Sequence, residues 1–390
     1  MEKTARNLIL AKGLAAVAGC RFGLGIWVLY YLNFTDFSGI GLAEALMIVT
    51  AFVLEVPTGT FADVLGRKRT LSLAFLLFTL GFVLVAAAPG FKTLLAGLLV
   101  FVLGRALYSG TFQALVYDTL LRNDQTHRYP LELAKLQFFR LTALAVTCSV
   151  GGFAFDWSYR APYVLTAAAC LSGWCMTWFL TEPFPSRKGE APRQRPLIWR
   201  TFKTISRDIW REDLLKAVLI LASMLVFCEE ILDDALAVAF GFEPSQLGLL
   251  FAGIYLFCAF VSRVSVGWVT RLGKERSFLL LAGVACLTLC LSPFLGLALG
   301  GLSIAIRYGA RTVWDNLENE QINQMTTSAN RATALSTYAM LKTLPYVLFA
   351  YPLGSLLDRV ETQMVALCLG LAVLVGLVWR MFSAGLAKAG

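Results

Sequence analysis

Gly59-Thr60-Phe61-Ala62-Asp63-Val64-Leu65-Gly66-Arg67-Lys68-Arg69 sets four charges and two glycines between two long apolar runs. The run before it begins near residue 39 and the run after it near residue 70. Each is long enough to cross a bilayer, whose hydrocarbon core takes about 20 helical residues. A short charged turn between two such runs reads as a hairpin between membrane helices. Three consecutive cations place it on the cytoplasmic side, where short loops collect Lys and Arg.

The rest of the chain agrees with that reading. Its 390 residues are 58% hydrophobic and 15% charged, with a mean hydropathy of +0.69; soluble chains carry about a quarter charged residues. The composition excludes a soluble domain and indicates an all-α membrane protein. Apolar windows place twelve spans at 8–33, 39–61, 70–90, 93–120, 134–155, 161–181, 213–240, 246–270, 276–294, 296–320, 331–356 and 363–384. The expected organisation is a six-helix bundle over 1–181, a cytoplasmic linker over 182–212 and a second six-helix bundle over 213–390. The linker carries four prolines and many basic residues, with a surface helix expected near Leu197 to Trp210. Basic residues concentrate on alternate loops, at Arg67 to Arg69, Arg122 and Arg128, the linker, and Arg271 to Arg276. That bias accounts for the net charge of +9 without a nucleic-acid partner, and it places both termini in the cytoplasm of a multi-pass inner-membrane protein.

Nine cysteines lie in or beside apolar runs with no C-x-x-C spacing, so no disulfide framework and no zinc site is expected. Val17-Ala18-Gly19-Cys20 imitates a lipoprotein cleavage box, but Lys12 interrupts the apolar region and the hydrophobic run continues to Leu32. The segment therefore reads as the first span. One histidine, His127, makes a nitrogen-rich metal site untenable, and no cofactor is implied.

The spacing Gly-x-x-x-Asp-x-x-Gly-Arg-Lys-Arg, preceded by Glu55-Val56-Pro57-Thr58, resembles the signature loop between helices 2 and 3 of major facilitator superfamily transporters. An internal repeat supports the resemblance. Gly152-x-x-x-Asp156 recurs as Gly354-x-x-x-Asp358, Tyr117-Asp118-Thr119-Leu120 echoes Trp314-Asp315-Asn316-Leu317, and Gly59 to Arg69 is echoed loosely by Gly267 to Arg276. Two pseudo-symmetric six-helix bundles, related by an axis along the membrane normal and holding substrate between them, are an arrangement known for this superfamily. The resemblance implies that Gly59, Asp63, Gly66, Arg67 and Lys68, with Asp118 at the end of span four, latch the cytoplasmic side shut. In the second half Arg271 stands where an acid is expected, so no matching latch is expected there.

Charges inside spans supply the remaining candidates, because each costs at least about 2.5 to 3.5 kcal/mol on insertion scales. Glu55 is a candidate for latch support or for proton carriage. Glu229-Glu230-x-x-Asp233-Asp234 in span seven stacks Glu229 on Asp233 and Glu230 on Asp234, on adjoining helix faces. Four carboxylates at that depth predict protonation of some near neutrality, or pairing with cations. The alternative is an early end to the span and a solvated cluster. Arg21, Arg105, Arg140, Arg307, Arg311 and Lys342 are expected to face a cavity or find carboxylates, and Tyr108 and Tyr338 to line that cavity. Arg105 is similar to the span-four arginine of proton-coupled drug exporters, but Gly110 follows at five residues rather than four, and span five lacks the antiporter proline-glycine motif.

The reading is a monomeric, proton-coupled carrier in the lipid bilayer that exports a small organic molecule, a drug or a metabolite, by alternating access. An uptake carrier for an anionic or zwitterionic solute and a lipid or lysolipid flippase are the alternatives. No phosphate loop or nucleophile motif supports an enzyme.

Overall fold

The computed structural model describes residues 2–184, 213–325 and 331–389, with side chains described except at 2–5, 55–64, 213–218, 229, 266, 268, 270, 323–325, 331–333, 335 and 380–389. The expected linker helix near Leu197 lies outside these residues. In chain order the helices are α1 (Glu2–Gly19), α2 (Trp27–Tyr31), α3 (Phe37–Leu65), α4 (Arg67–Ala86), α5 (Phe91–Leu121), α6 (Tyr129–Trp157), α7 (Ala161–Trp178), α8 (Asp213–Phe227), α9 (Asp233–Ala239), α10 (Pro244–Leu272), α11 (Lys274–Leu291), α12 (Leu297–Met325), α13 (Arg331–Leu357) and α14 (Thr362–Ala389). α1 and α2 together make the first span, and α8 and α9 the seventh, giving twelve spans. Nine of the described stretches are long and apolar enough to cross a membrane by length and composition. The others are α7, the divided seventh span, and α12, which carries the charges described below.

Local signals account for the helix ends. Pro130 and Pro162 stand in the first turns of α6 and α7, where no amide donor is needed. Asp36 caps α3, its Oδ1 accepting hydrogen bonds from the Gly39 N–H at 2.8 Å and the Ser38 hydroxyl at 2.6 Å. Gly66 and Gly273 each form a one-residue connection, with φ of 88° and 81° and ψ of 156° at both. Glycine reaches that backbone region without steric cost. Thr70 Oγ1 then donates to the Gly66 carbonyl at 2.9 Å and Ser277 Oγ to the Gly273 carbonyl at 2.8 Å. The repeat legible in the sequence is thus repeated in backbone angles and capping bonds.

The chain divides into two compact units, Met1–Pro192 with Glu243–Gly253, and Arg193–Phe242 with Ile254–Gly390. In the first unit α4 and α5 meet backbone to backbone. A Cβ on Gly97 would stand 2.8 Å from the Gly81 carbonyl oxygen, so the contact depends on small residues. In the second unit Trp314, Phe278, Leu281 and Val313 form the centre of the core.

Two spans depart from the continuous helices that the apolar runs predict. The first is interrupted after Gly19 and resumes as a short 3-10 turn, Leu24–Ile26, leading into α2. Gly19, Gly23 and Gly25 weaken the helix there. The amide groups released are taken up across the unit, Arg21 N–H donating to Thr147 Oγ1 at 3.1 Å and Phe22 N–H to Thr166 Oγ1 at 3.2 Å. The seventh span contains a π turn, Cys228–Leu232. Such turns insert one extra residue into a helix and concentrate at functional sites.

Candidate functional site

At the end of the first unit that carries the Gly59–Arg69 turn, Arg67 Nε donates to Asp118 Oδ2 at 3.2 Å, both side chains being about one-fifth exposed. The Arg67 and Lys68 backbone N–H groups donate to the two carboxylate oxygens of Glu182, at 2.7 and 2.9 Å. A carboxylate facing the first two amides of α4 satisfies donors that no helical carbonyl reaches, and it meets the positive end of the helix dipole. Lys68 Nζ donates to the Trp178 carbonyl at 2.7 Å. Glu182 is itself fixed by its neighbours. Asn7 accepts from the Thr181 N–H and donates to the Thr181 carbonyl, while Arg122 donates to the Pro183 carbonyl. The structure brings Arg67, Lys68, Gly66 and Asp118 together. The side chains of Gly59, Asp63 and Glu55 lie outside the described residues.

A counterpart exists in the second unit. Lys274, which follows Gly273 as Arg67 follows Gly66, pairs with Glu320 at 3.0 Å. By contact, Glu320 rather than Asp315 therefore answers Asp118. The separations Asp118 to Glu320 and Gly152 to Gly354 are both 202 positions. The absence of an acid at Arg271 does not prevent an ion pair at this end, because the pair forms through Lys274.

Deeper in the second unit, two charged groups converge on α12. Arg307 and Asp233 are paired, each side chain 3% exposed; Arg307 Nε donates to Asp233 Oδ1 at 2.7 Å and Nη2 approaches the same oxygen. Arg307 Nη1 reaches Ser303 Oγ at 3.4 Å. One and two turns further along α12, Arg311 pairs with Asp315 at 3.2 Å, and Lys342 from α13 donates to Asp315 Oδ1 at 2.9 Å and Glu318 Oε2 at 3.0 Å. The other oxygen of buried Glu318 accepts from the Trp314 indole and the Tyr338 hydroxyl. Arg311, Asp315, Lys342 and Glu318 thus alternate in sign, and Lys342 is shared between two acids. A small cavity lined by Cys228, Asp233, Leu281, Arg307, Arg311 and Trp314 adjoins both groups.

These contacts revise the expected geometry of the acidic cluster. The segment that carries it is wound as a π turn, Cys228–Leu232, rather than as part of the continuous α-helix that the apolar run predicts. Asp233 and Asp234 are 2% and 6% exposed, so this part of the cluster is not solvated. Glu230 is half-buried, and the Glu229 side chain lies outside the described residues.

The candidates of the first unit are more dispersed. Arg21 stands over the Phe101 ring, 5.0 Å from its centre, beside the break in span one. Arg140 bonds Gln137 on its own helix at 3.0 Å. Arg105 is exposed, on the same helix face as exposed Ser109. Tyr108 stacks on Phe112 at 4.8 Å and packs edge-on against Phe75, which makes it part of an aromatic core. Tyr338 is 3% exposed and held by Glu318.

Sequence reading missed Glu182, Glu318, Glu320 and the buried Glu44. The i, i+3 spacing of Asp315 and Glu318, with Lys342 a helix later, was the available signal for Glu318. Glu182 carried none, because its partners are backbone amides. Among the described residues, no group of three or more His, Cys, Asp or Glu side chains is placed to hold a metal ion.

Twelve spans with paired charges buried among them define a polytopic membrane transporter rather than a structural membrane protein. The Major Facilitator Superfamily model matches residues 13–314, and the chain belongs to that family. It is 25% identical over 154 residues to the MFS-type transporter YxaM of Bacillus subtilis (strain 168), a match spanning 39% of this chain and 38% of that protein. In fold it is similar to the nucleoside transporter NupG, with a TM-score of 0.79, 15% identity and coverage of 98% of both chains. A POT family transporter in complex with 5-aminolevulinic acid aligns with a TM-score of 0.73, 11% identity and coverage of 97% and 95%. A D-xylose-proton symporter aligns at 0.67, with 14% identity and coverage of 96% and 97%. The fold is all-helical with twelve spans, as the sequence predicts, and the family is one of transporters, not enzymes.

Proposed function

We propose that the protein couples the movement of a small organic molecule to protons by alternating access, and that the coupling groups lie in the second unit. The observation that carries this reading is the alternating series Arg311, Asp315, Lys342 and Glu318, next to the buried Asp233–Arg307 pair. Charges so costly to bury are retained where their pairing changes during function. Protonation of Asp233 releases Arg307, and protonation of Asp315 passes Lys342 wholly to Glu318; either event changes the charge that a neighbouring solute meets. The Arg67–Asp118 and Lys274–Glu320 pairs act as gating contacts, one in each unit, with Asp63 completing the first. Both are partly exposed and individually weak, which suits contacts that must open in every cycle.

Outward transport is the proposed direction, on the similarity of Arg105 to the span-four arginine of proton-coupled exporters. The test uses the full chain in proteoliposomes with an imposed pH gradient, after a thermal-shift screen across drugs, amino acids and nucleosides has supplied a ligand. Neutralising Glu229 and Asp233 together is expected to abolish pH-driven flux while leaving solute exchange intact. Unchanged pH-driven flux in that variant defeats the coupling assignment. Accumulation of ligand on the side that loses protons gives export, and accumulation with the protons gives the uptake carrier.

A further inference from the structure

At the end of the first unit where α5 turns into α6, a single carboxylate is shared by three cations. Lys135 Nζ lies 2.9 Å from Glu132 Oε1, Arg128 Nη2 lies 3.7 Å from the same oxygen, and Lys12 Nζ, from α1, lies 3.6 Å from Oε2. The Glu132 side chain is 3% exposed, while those of Lys12, Arg128 and Lys135 are 29%, 43% and 39% exposed. The acid is therefore an internal anchor that gathers the cations, and their outer faces remain open. Three positive charges against one negative leave the group with a surplus of two. Glu132 lies close to the start of a membrane-length stretch, Thr126–Trp157. On the same helix face as Lys135, one turn to either side, stand exposed Leu131 and Phe138, with Phe139 beside them.

We propose that Lys12, Arg128 and Lys135 form a headgroup site for an anionic glycerophospholipid, whose phosphodiester meets the cations while its chains lie along Leu131 and Phe138. Basic groups gathered between helices at a membrane interface recognise anionic headgroups by this combination of charge and apolar contact. The lipid joins α1 to α6 at the point where the Lys12–Glu132 pair already links them. This assignment is independent of the transported solute and of proton coupling, since none of its residues belongs to the groups proposed for those roles.

The experiment titrates the purified full chain in uncharged detergent with phosphatidylglycerol or phosphatidylcholine of identical acyl chains. It follows thermal unfolding and, by native mass spectrometry, the lipid retained. Two uncompensated charges predict a preference for phosphatidylglycerol on the order of 30-fold. Lys12→Gln with Lys135→Gln is expected to bring the preference close to one, and Arg128→Gln to reduce it about fivefold. Glu132→Gln is expected to move it the opposite way, by removing the competing anion. Lys92→Gln, in the first turn of α5, leaves it unchanged. If the double variant does not fold, Arg128→Gln and Glu132→Gln still require opposite shifts. The proposal is overturned by equal binding of both lipids to the unaltered protein, by shifts of the same sign in those two variants, or by inorganic phosphate reproducing the stabilisation, which would make this a site for a free anion.

Discussion

The Asp233–Arg307 pair gives the most direct measure of how tightly the second unit depends on internal charge. Both side chains are 3% exposed, and two guanidinium nitrogens engage a single carboxylate oxygen. Asp233→Asn leaves a buried guanidinium with Ser303 Oγ, 3.4 Å away, as a weak remaining acceptor. Breaking such a pair from one side costs about 3 to 5 kcal/mol, since the residual charge has lost its compensation. Removing both charges, with Asp233→Asn and Arg307→Met, takes away the desolvation penalty together with the attraction, and is expected to cost no more than either single change. The coupling energy should therefore be at least about 2 kcal/mol. Arg307→Lys, which keeps the charge but not the planar fork, should fall between the native protein and Arg307→Met alone. The measurement is a double-mutant cycle on denaturant unfolding of the full chain in detergent. Additive costs, with a coupling below about 0.5 kcal/mol, would refute the view that these two charges stabilise one another.

Glu182→Gln can offer a neutral acceptor to one of the two α4 amides, and is expected to cost about 1 kcal/mol in the same unfolding assay. Gly66→Ala should cost about 1 to 3 kcal/mol, because φ of 88° with ψ of 156° is a region that side-chain-bearing residues avoid, and its Cβ would stand 3.0 Å from Glu182. Asp118→Asn and Glu320→Gln are each expected to change stability by less than about 1 kcal/mol while raising the labelling rate of cysteines placed near Arg67 and Lys274; unaltered labelling in both would remove the gating assignment. At Asp36, the Ser38 hydroxyl and then the Gly39 amide hold the carboxyl below its ordinary range. Its capping contribution is thus complete above the unfolded value of about 3.9 and is lost as pH falls through the lowered folded value. Acid unfolding of Asp36→Asn should lack that component.

The twelve spans were legible because hydropathy at this length is decided by the bilayer rather than by tertiary contacts. Arg67 and Asp118 could be paired in advance because the resemblance carried by the spaced motif implies an acid at the end of span four as the partner of its arginine. The internal repeat, which matches Trp314-Asp315 to Tyr117-Asp118 by letters, does not mark the second ion pair, because that pair follows the helix end and selects Glu320. The break at Gly19 to Gly23 was hidden by an apolar run that reads equally well as one helix. It depends on Thr147 and Thr166, residues more than a hundred positions away that receive the amides the break exposes. Glu182 lay beyond any pattern for the related reason that its partners are main-chain donors, which have no letter in the sequence.

The π turn at Cys228–Leu232 determines which residue Arg307 meets. If that turn were wound as α-helix with α8 held in place, every later residue of the span would advance by one position, about 100° around the axis and 1.5 Å along it. Leu232 would then occupy the place of Asp233, and the guanidinium would face a methyl group. Removing one residue from Cys228–Leu232 would undo the turn without touching either charged side chain, whereas the same excision in an uninterrupted helix such as α4 would rotate its whole remainder out of phase. The extra residue is thus a coding element in its own right: the chain specifies this ion pair by length as much as by the identity of the two residues that form it.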